Sequence, residues 1–337
     1  MGEPPPQTRM PRRANAEAGQ APPQTHSAPL EGLSQHRAFN TPIAKNLMLD
    51  AGTRDIGRRI ANCAHTIKAD VLLHPELPPE TNLKAAHVCN TRLCPFCEWR
   101  RTRVWRRRLY EGLSALYDDK PKLRGVFLTL TVRNCRLEEL SEQLDEMNKA
   151  WRRLVNRGFS LTDLSFWRTA ITVGGIPGTR TLKAHPHFHA LLLVPPSYFS
   201  HGYVKQTTWR KEWMDSARLN YAPVVDVRSA KQKNGITSSS SENAKGAVLE
   251  AAKYAAKATD LLELGDSVSE LHWQLKNKRL YSVSRELNKY IKSGDISPDE
   301  MMDNDAKPLP EGTERVEVIA QWFEDTREYL ITDVLTP

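Results

Sequence analysis

Three alternate histidines, His185, His187 and His189, lead directly into an apolar run that ends at two prolines, and no other pattern constrains the fold as much. Successive side chains of a β-strand point to opposite faces, so His187 and His189 share one face with the leucines that follow at the same spacing. An apolar run bounded by prolines is typical of a buried strand. We therefore predict a strand over residues 187–194 that presents two imidazoles on one face.

Two imidazoles on one face of a strand are a common platform for a metal ion, because neutral imidazole is a good ligand. The alternative is a pair of hydrogen-bonded structural histidines. His185 weakens that alternative, since packing alone hardly explains three alternate histidines in an otherwise apolar strand. We predict a metal site at His187 and His189, with His185 as a third candidate ligand.

The other segments indicate an antiparallel sheet covered by helices. Further β-branched and apolar runs predict strands at residues 126–132, 167–173 and 224–228. The remaining patterned segments predict helices at residues 137–155, 209–219 and 244–262. Because strands and helices do not alternate as regular βαβ units, the fold class that we expect is α+β.

The helix expected at residues 244–262 carries a polar stripe. Glu250, Tyr254 and Lys257 lie on one face of it, among many alanines. A tyrosine hydroxyl, with an ordinary pKa of about 10, needs a nearby cation to act as a nucleophile at neutral pH. Lys257 and a metal ion could supply that charge, and Glu250 could activate water. The alternative is a solvated helix face with one half-buried tyrosine, which the histidine strand makes less attractive.

Three of the five cysteines form a Cys-x4-Cys-x2-Cys knuckle: Cys89, Cys94 and Cys97. An odd cysteine count and this crowding favour a metal over disulfides in a reducing compartment. Tetrahedral zinc needs a fourth ligand, for which Cys63 is the first choice and His65 and His87 are competitors. We predict a structural zinc site. The alternative is a group of buried, unligated cysteines.

Six arginines follow the knuckle closely: Arg100, Arg101, Arg103, Arg106, Arg107 and Arg108. On a helix they would surround nearly the whole circumference, and their repulsion would be costly unless phosphates neutralised them. We predict contacts with the DNA backbone that carry no sequence specificity. The alternative is a solubilising segment.

The overall composition agrees with a nucleic-acid partner. Lys and Arg number 48 against 40 Asp and Glu, a net charge of +8, which favours DNA or RNA ahead of an anionic membrane surface. No stretch approaches the roughly 18 apolar residues of a membrane span, and the N-terminus lacks the apolar core of a signal peptide. We expect a cytoplasmic protein without a membrane partner.

Together these motifs resemble those of the single-tyrosine HUH endonucleases that initiate rolling-circle plasmid replication. Three segments carry the resemblance, which runs from about Cys63 to Tyr290: residues 127–132 (FLTLTV), 185–192 (HPHFHALL) and 250–257 (EAAKYAAK). The cysteine knuckle followed by Trp99 is similar to a branch of the family with an N-terminal zinc-binding segment. The resemblance implies an HUH-type antiparallel sheet covered by helices, acting on double-stranded and single-stranded origin DNA with a host helicase and polymerase.

The resemblance also implies a mechanism. A divalent ion, Mg²⁺ or Mn²⁺, held by His187 and His189 would polarise the scissile phosphate, and Tyr254 would attack it. The products would be a 5′-phosphotyrosine link and a free 3′-hydroxyl. Lys257 would stabilise charge, and Glu250 would activate the water that ends the cycle. Relatives carry an acidic residue where this chain has Ile171, so the third metal ligand is either His185 or is replaced by waters and phosphate oxygens.

The domain organisation that we expect has four parts. They are a disordered tail at residues 1–45, a zinc-binding and basic DNA-binding segment at 46–110, an HUH endonuclease domain at 111–290 and a helical extension at 291–337. An amphipathic stretch at residues 316–330 suggests the helix of that extension.

Rival functions explain less of the sequence. The histidine segment also fits the histidine-triad nucleotidyl hydrolases and transferases, but such an enzyme needs neither the knuckle, the arginines nor Tyr254. A non-enzymatic zinc-dependent nucleic-acid-binding protein leaves the histidines unexplained. Conjugative relaxases and single-strand transposases share the HUH chemistry, but relaxases usually place the tyrosine before the histidines.

Overall fold

The computed structural model describes residues 28–157, 163–175, 182–229, 258–303 and 309–335. Within these ranges the chain forms two antiparallel sheets with helices packed around them, so the α+β fold class is confirmed. No helix in the described ranges is long and apolar enough to cross a membrane.

The larger sheet has six strands and contains the histidines. Its strands are β3 (Arg124–Thr131), β4 (Cys135–Arg136), β5 (Ser165–Gly175), β6 (Leu182–Val194), β7 (Val225–Ser229) and β8 (Tyr281–Val283). The strand order is β7-β3-β6-β5-β8, and β4 also pairs with β6. The predicted strands are therefore all present, and the histidine strand lies at the centre. β5 and β6 are antiparallel neighbours from Ser165 opposite Leu192 to Gly175 opposite Leu182.

The smaller sheet joins two distant parts of the chain. Its strands are β1 (Thr66–His74), β2 (Leu77–Ala86), β9 (Glu314–Phe323) and β10 (Glu328–Leu335), in the order β10-β9-β1-β2. The helix predicted at residues 316–330 is therefore wrong, because that stretch forms most of a β-hairpin. Val318, Ala320 and Trp322 are buried at alternate positions of β9, which is the period of a strand.

Within the described residues, three helices precede the first strand of the smaller sheet in the sequence. They are α1 (Glu31–Arg37), α2 (Asn40–Leu49) and α3 (Arg54–Ala61). The disordered tail predicted for residues 1–45 is thus wrong from residue 28 onwards, because Leu33, Ile43 and Leu47 are buried in the main core, the larger of two hydrophobic clusters in the described residues. Residues 1–27 lie outside the described part of the chain.

The long helix α4 (Pro95–Asp119) continues through the domain boundary expected at residue 110. Its apolar face is buried, and the Trp105 ring packs 5.6 Å from that of Phe166 on β5. Gly112 allows a close approach, because a Cβ there would lie 2.6 Å from the carbonyl oxygen of Tyr290. α4 therefore packs directly on the larger sheet.

The other helices are α5 (Leu140–Asn156), α6 (Ser197–Ser200), α7 (Gln206–Ser216), α8 (Ala258–Glu263) and α9 (Val268–Leu275). The helix predicted at residues 137–155 is present as α5, and its apolar face is buried, including Met147 and Trp151. Trp151 and Trp213 of α7 pack around Phe188 of β6. Since Phe188 lies between two of the histidines, this core occupies one face of β6 and leaves the imidazoles on the other.

Candidate functional site

The three histidines form a row along one face of β6. Each is half-buried, whereas the residues between them, Pro186 and Phe188, are buried. The ring centroids of His185 and His187 are 5.1 Å apart, and those of His187 and His189 are 4.8 Å apart. The predicted alternation therefore places the imidazoles side by side.

Hydrogen bonds hold each ring through its Nδ1 atom. His189 Nδ1 lies 3.2 Å from Thr129 Oγ1 on β3. His187 Nδ1 donates to the backbone carbonyl of His185 at 3.1 Å, because a carbonyl oxygen only accepts. This bond leaves the lone pair of His187 on Nε2, which is the arrangement that a metal-binding histidine needs.

The environment of the row favours neutral imidazole. Burial lowers the pKa of His187, and the Arg168 guanidinium contributes to the same shift against a hydrogen bond that opposes it. Burial also lowers the pKa of His185. Neutral imidazole is the form that binds metal ions.

His185 is placed differently from the other two histidines. Its Nδ1 donates to Asn134 Oδ1 at 2.7 Å, at the exposed end of the row. Among the described residues, only the four knuckle-associated cysteines form a group of three or more potential ligands whose atoms lie within 4.8 Å of one another. His187 and His189 therefore offer a two-ligand platform, and His185 remains a predicted third ligand.

Arg168 is a site residue that the sequence prediction missed. It is 1% exposed and lies opposite His189 in the β5–β6 register. The same cross-strand row runs from Tyr281 on β8 through Arg168, His189 and Thr129 to Asp226 on β7. The signal in the sequence was a single charged residue inside the strand predicted at residues 167–173. Which residue this charge lies beside depends on how the two strands are paired.

Ile171 occupies the position where the family resemblance implied an acidic residue. It is buried, packs in the main core and lies opposite Pro186, whereas its neighbour Ala170 lies opposite His187. No carboxylate is thus contributed from this position. Asp226, in the row of His189, is held by Arg228 at 2.6 Å.

Glu250, Tyr254 and Lys257 lie outside the described residues. The first helix described after them is α8 (Ala258–Glu263), which contacts β5, the neighbour of the histidine strand.

The structure brings four cysteines together: Cys63, Cys89, Cys94 and Cys97. All are buried, and the Sγ atom of Cys97 lies 3.5 Å from that of Cys63 and 3.7 Å from that of Cys89. Four sulfurs around tetrahedral zinc, each at about 2.3 Å, would be about 3.8 Å apart. His65 and His87, the competing fourth ligands, are exposed. The cluster therefore fits the donor set of a structural zinc site.

Local backbone geometry and hydrogen bonds shape this cluster. Ala64 and Asn90 have left-handed backbones, with φ of 53° and 50°, directly after Cys63 and Cys89. The backbone N–H of Cys89 donates to the Cys63 sulfur at 3.4 Å. Hydrogen bonds from Cys63 and the other thiols lower the pKa of Cys89, whereas burial and the neighbouring thiols raise the pKa of Cys94.

The arginine run corrects one prediction. Arg100 is 2% exposed and pairs with Asp303 at 3.0 Å, and Arg108 is 6% exposed and pairs with Glu300 at 2.6 Å. Acidic side chains from elsewhere in the chain therefore neutralise these two arginines, and they are unavailable to DNA.

The other four arginines differ in their surroundings. Arg101 pairs with Glu98 at 3.2 Å, and Arg107 is half-buried. Arg103 and Arg106 are exposed, although Arg103 also pairs with Asp303 at 3.3 Å. A role in DNA contact remains a prediction for these four.

Comparisons with known proteins identify relatives over most of the chain. Residues 80–330 match the family model Rep_1, described as replication protein. A "Protein rep" of Bacillus amyloliquefaciens is 30% identical over 279 residues, which are 75% of this chain and 80% of the relative. A "Protein rep" of a Bacillus species is 33% identical, covering 66% and 78%. One of Streptococcus pneumoniae serotype 2 is 29% identical, covering 74% and 77%. No solved structure matches.

Proposed function

Because this chain belongs to the Rep_1 family of replication proteins, as its motifs predicted, we propose that it initiates rolling-circle plasmid replication by nicking DNA at the origin. The observation that carries this proposal is the pair of half-buried imidazoles of His187 and His189 on the central strand. Its substrate would be plasmid origin DNA in the cytoplasm, where a host helicase and polymerase would extend the nicked strand.

The histidine pair fits a divalent ion, Mg²⁺ or Mn²⁺. His187 is oriented through its Nδ1 hydrogen bond, so Nε2 is left as the ligand atom. When bound, the ion would polarise an oxygen of the scissile phosphate. Thr129 holds the ring of His189, and Arg168 places a buried positive charge beside it. The positive charge of Arg168 favours a phosphate group at this face of the sheet.

Tyr254 is the proposed nucleophile. Its phenolate oxygen attacks phosphorus, the bond between phosphorus and the 3′-oxygen breaks, and the DNA is left with a 5′-phosphotyrosine link and a 3′-hydroxyl. Lys257 stabilises the phenolate. Glu250 activates the water of the terminating step, and the support for these three roles is their spacing in the sequence.

Incubation with a supercoiled plasmid that carries the cognate origin tests the nicking proposal. In the presence of Mg²⁺ or Mn²⁺, we expect the protein to become covalently attached to the 5′ end of the nicked strand. Tyr254→Phe should abolish the adduct and retain DNA binding, whereas Tyr203→Phe, which changes an exposed tyrosine, should leave it intact. An adduct that persists in Tyr254→Phe would overturn the proposal.

The terminating role of Glu250 has its own test. Glu250→Ala should nick at the wild-type rate but accumulate unclosed product, because water lacks its activating carboxylate. If this variant both nicks and terminates as the wild type does, the assignment fails.

The four cysteines are proposed to hold a structural zinc ion. Four protein sulfur ligands leave no open coordination position, so this site would stabilise the fold and take no part in catalysis.

A further inference from the structure

A cleft of about 670 Å³ opens beside β8, the edge strand of the larger sheet. One wall comes from the knuckle and the start of α4, a second from residues 277–283 and a third from residues 293–296. We propose that this β8 cleft binds the single-stranded DNA that flanks the cut site, an inference that rests on the proposed nicking function. Its volume lies within the range of about 300–1,000 Å³ that small ligands occupy, which accommodates a nucleotide or two of single strand and no duplex.

Positive charge exceeds negative charge in the β8 cleft. Its lining includes four cations, Arg92, Arg101, Lys278 and Arg279, against the carboxylates of Glu98 and Asp295. Glu98 and Arg101 pair with each other at 3.2 Å, and Glu98 also accepts from the Tyr281 hydroxyl at 3.2 Å, so Arg92, Lys278 and Arg279 are left with Asp295 as the other carboxylate of the lining. A groove with surplus cations is what a phosphodiester backbone requires.

Arg279 is the cation most available to a ligand. It is exposed and forms no ion pair with the residues that the structure describes. By contrast, Lys278 pairs with Asp145 at 2.7 Å, and Arg92 donates to the carbonyls of Leu275 and Lys278 at 2.8 Å each. We therefore assign the principal phosphate contact of the cleft to Arg279.

Aromatic rings line the floor of the β8 cleft. Trp105 and Tyr281 stack with their ring centroids 5.1 Å apart and their planes 17° from parallel. Trp105 is 5% exposed, because its ring stacks on Tyr281 and lies under Arg108, so these rings form the floor and the lining cations supply the contacts with the nucleic-acid backbone. The cleft thus suits a single strand held through its phosphates.

The position of the β8 cleft relates it to the histidine pair. Tyr281 in its floor lies opposite Arg168, which lies opposite His189. Adjacent strands are about 4.8 Å apart, so the floor is about 10 Å from the histidine strand. At about 3.4 Å per stacked nucleotide, roughly three nucleotides span that distance. A strand cut at the histidines would reach the cleft directly.

The cysteine knuckle also positions one wall of the β8 cleft. Arg92 lies between Cys89 and Cys94, and its guanidinium joins the knuckle to residues 275 and 278. The knuckle therefore sets the width of the β8 cleft, in addition to stabilising the fold.

Fluorescence anisotropy with a labelled 15-nucleotide oligo(dT) tests the proposal. The titrations are done in buffers of increasing salt without added divalent ion, so that no cleavage occurs. Arg279→Ala should weaken binding several-fold and reduce the slope of log K against log salt by about 0.7, the effect of one lost phosphate contact with single-stranded DNA. Arg285→Ala is the matched control, because Arg285 is also exposed and near β8 but lines a separate hollow with Trp151 and Trp167.

Three outcomes would overturn the assignment. Arg279→Ala could bind oligo(dT) as the wild type does, or Arg285→Ala could lose as much affinity as Arg279→Ala. Third, Arg279→Ala could weaken binding of the corresponding oligo(dA)·oligo(dT) duplex as much as it weakens binding of the single strand. The first two would remove the cleft as the binding site, and the third would remove the preference for single strands. Because these measurements involve no nicking, they stand or fall separately from the adduct test with Tyr254→Phe.

Discussion

The hydroxyl of Thr129 is a small feature with a large expected effect on metal binding. It holds the Nδ1 side of His189 at 3.2 Å and thereby orients the ring. Residues that orient a ligating histidine typically contribute 10- to 100-fold to metal affinity. Thr129→Val should therefore weaken Mn²⁺ binding by about 10- to 100-fold with little change in shape.

Titration calorimetry with Mn²⁺ measures this effect. Thr208→Val serves as the control, because Thr208 is exposed on α7. Equal Mn²⁺ affinities for Thr129→Val and the wild type would show that Thr129 does not orient a ligand.

Sequence alone predicted the histidine row, because the two-residue period of a strand needs no tertiary information. Arg168 was out of reach for the opposite reason. Its place beside His189 follows from how β5 pairs with β6, and register is set by the packed sheet. The sequence could not show either that the side chain of Ile171 is buried in the core and does not face the histidines, because this too depends on the packed sheet.

Helix α4 carries ion pairs that should make stability depend on pH. The Arg108 guanidinium, by its hydrogen bond, lowers the pKa of Glu300 from 4.5 to about 2. A carboxyl whose pKa is lowered on folding stabilises the fold above its ordinary pKa, and this contribution is lost as pH falls through the folded value. Glu300→Gln should therefore lower the Tm at pH 6, and its deficit against the wild type should shrink between pH 4.5 and 2.

Thermal unfolding followed by circular dichroism from pH 6 to 2.5 checks this expectation. Glu138→Gln is the comparison, since Glu138 forms an exposed pair with Arg136 and should matter little at any pH. A Glu300→Gln deficit that stays constant over the whole range would contradict it.

The arginines of α4 were expected to face DNA because a charge run has no visible partner in the local sequence. Their partners, Glu300 and Asp303, are far along the chain, and only the folded structure brings them to Arg100 and Arg108. A charge pattern predicts a helix face well. It cannot reveal which charges the rest of the molecule neutralises.

The cysteine knuckle yields a prediction about metal content. The purified protein should contain about one zinc ion per chain by mass spectrometry. Cys94→Ser should lose most of it and unfold at a lower temperature, because binding of a structural zinc ion contributes directly to folding. Cys135→Ser should keep its zinc, since Cys135 lies apart on β4 with its thiol toward the Ala184 carbonyl. Full zinc content in Cys94→Ser would refute the site.

For the molecule as a whole, the smaller sheet connects the two ends of the described chain. β1 lies between β2 and β9, so the segments expected as an N-terminal zinc-binding part and a C-terminal helical extension share one sheet. The buried Tyr329 on β10 donates its hydroxyl to the carbonyl of Ala64, the neighbour of Cys63. The C-terminal hairpin thus braces the cysteine cluster.

Removing the Tyr329 hydroxyl should lower the free energy of unfolding. Tyr329→Phe leaves a buried carbonyl without its donor, which costs about 1–3 kcal/mol of unfolding free energy. Urea unfolding at 25 °C measures the loss. Tyr203→Phe, at an exposed position, should unfold as the wild type does, and equal stabilities for all three proteins would show that the brace contributes nothing.

Local patterns predicted the strands of the larger sheet because each carries its own apolar run. They did not reveal the smaller sheet. Val316 pairs with Val71, and this long-range pairing decides that residues 316–330 are strands, although their composition also suits an amphipathic helix. Strand order and the partnership of distant segments are properties of the whole molecule.

The central place of β6 has a consequence for how the protein moves. Its backbone is paired with β3 on one side and β5 on the other, so the imidazoles stand on a part of the molecule that opens only when the whole sheet does. Within the described ranges β8 has three residues and pairs only with β5, and such edges open at much lower free energy. Local opening of this edge would therefore admit or release the proposed single strand, while the histidine pair keeps its geometry.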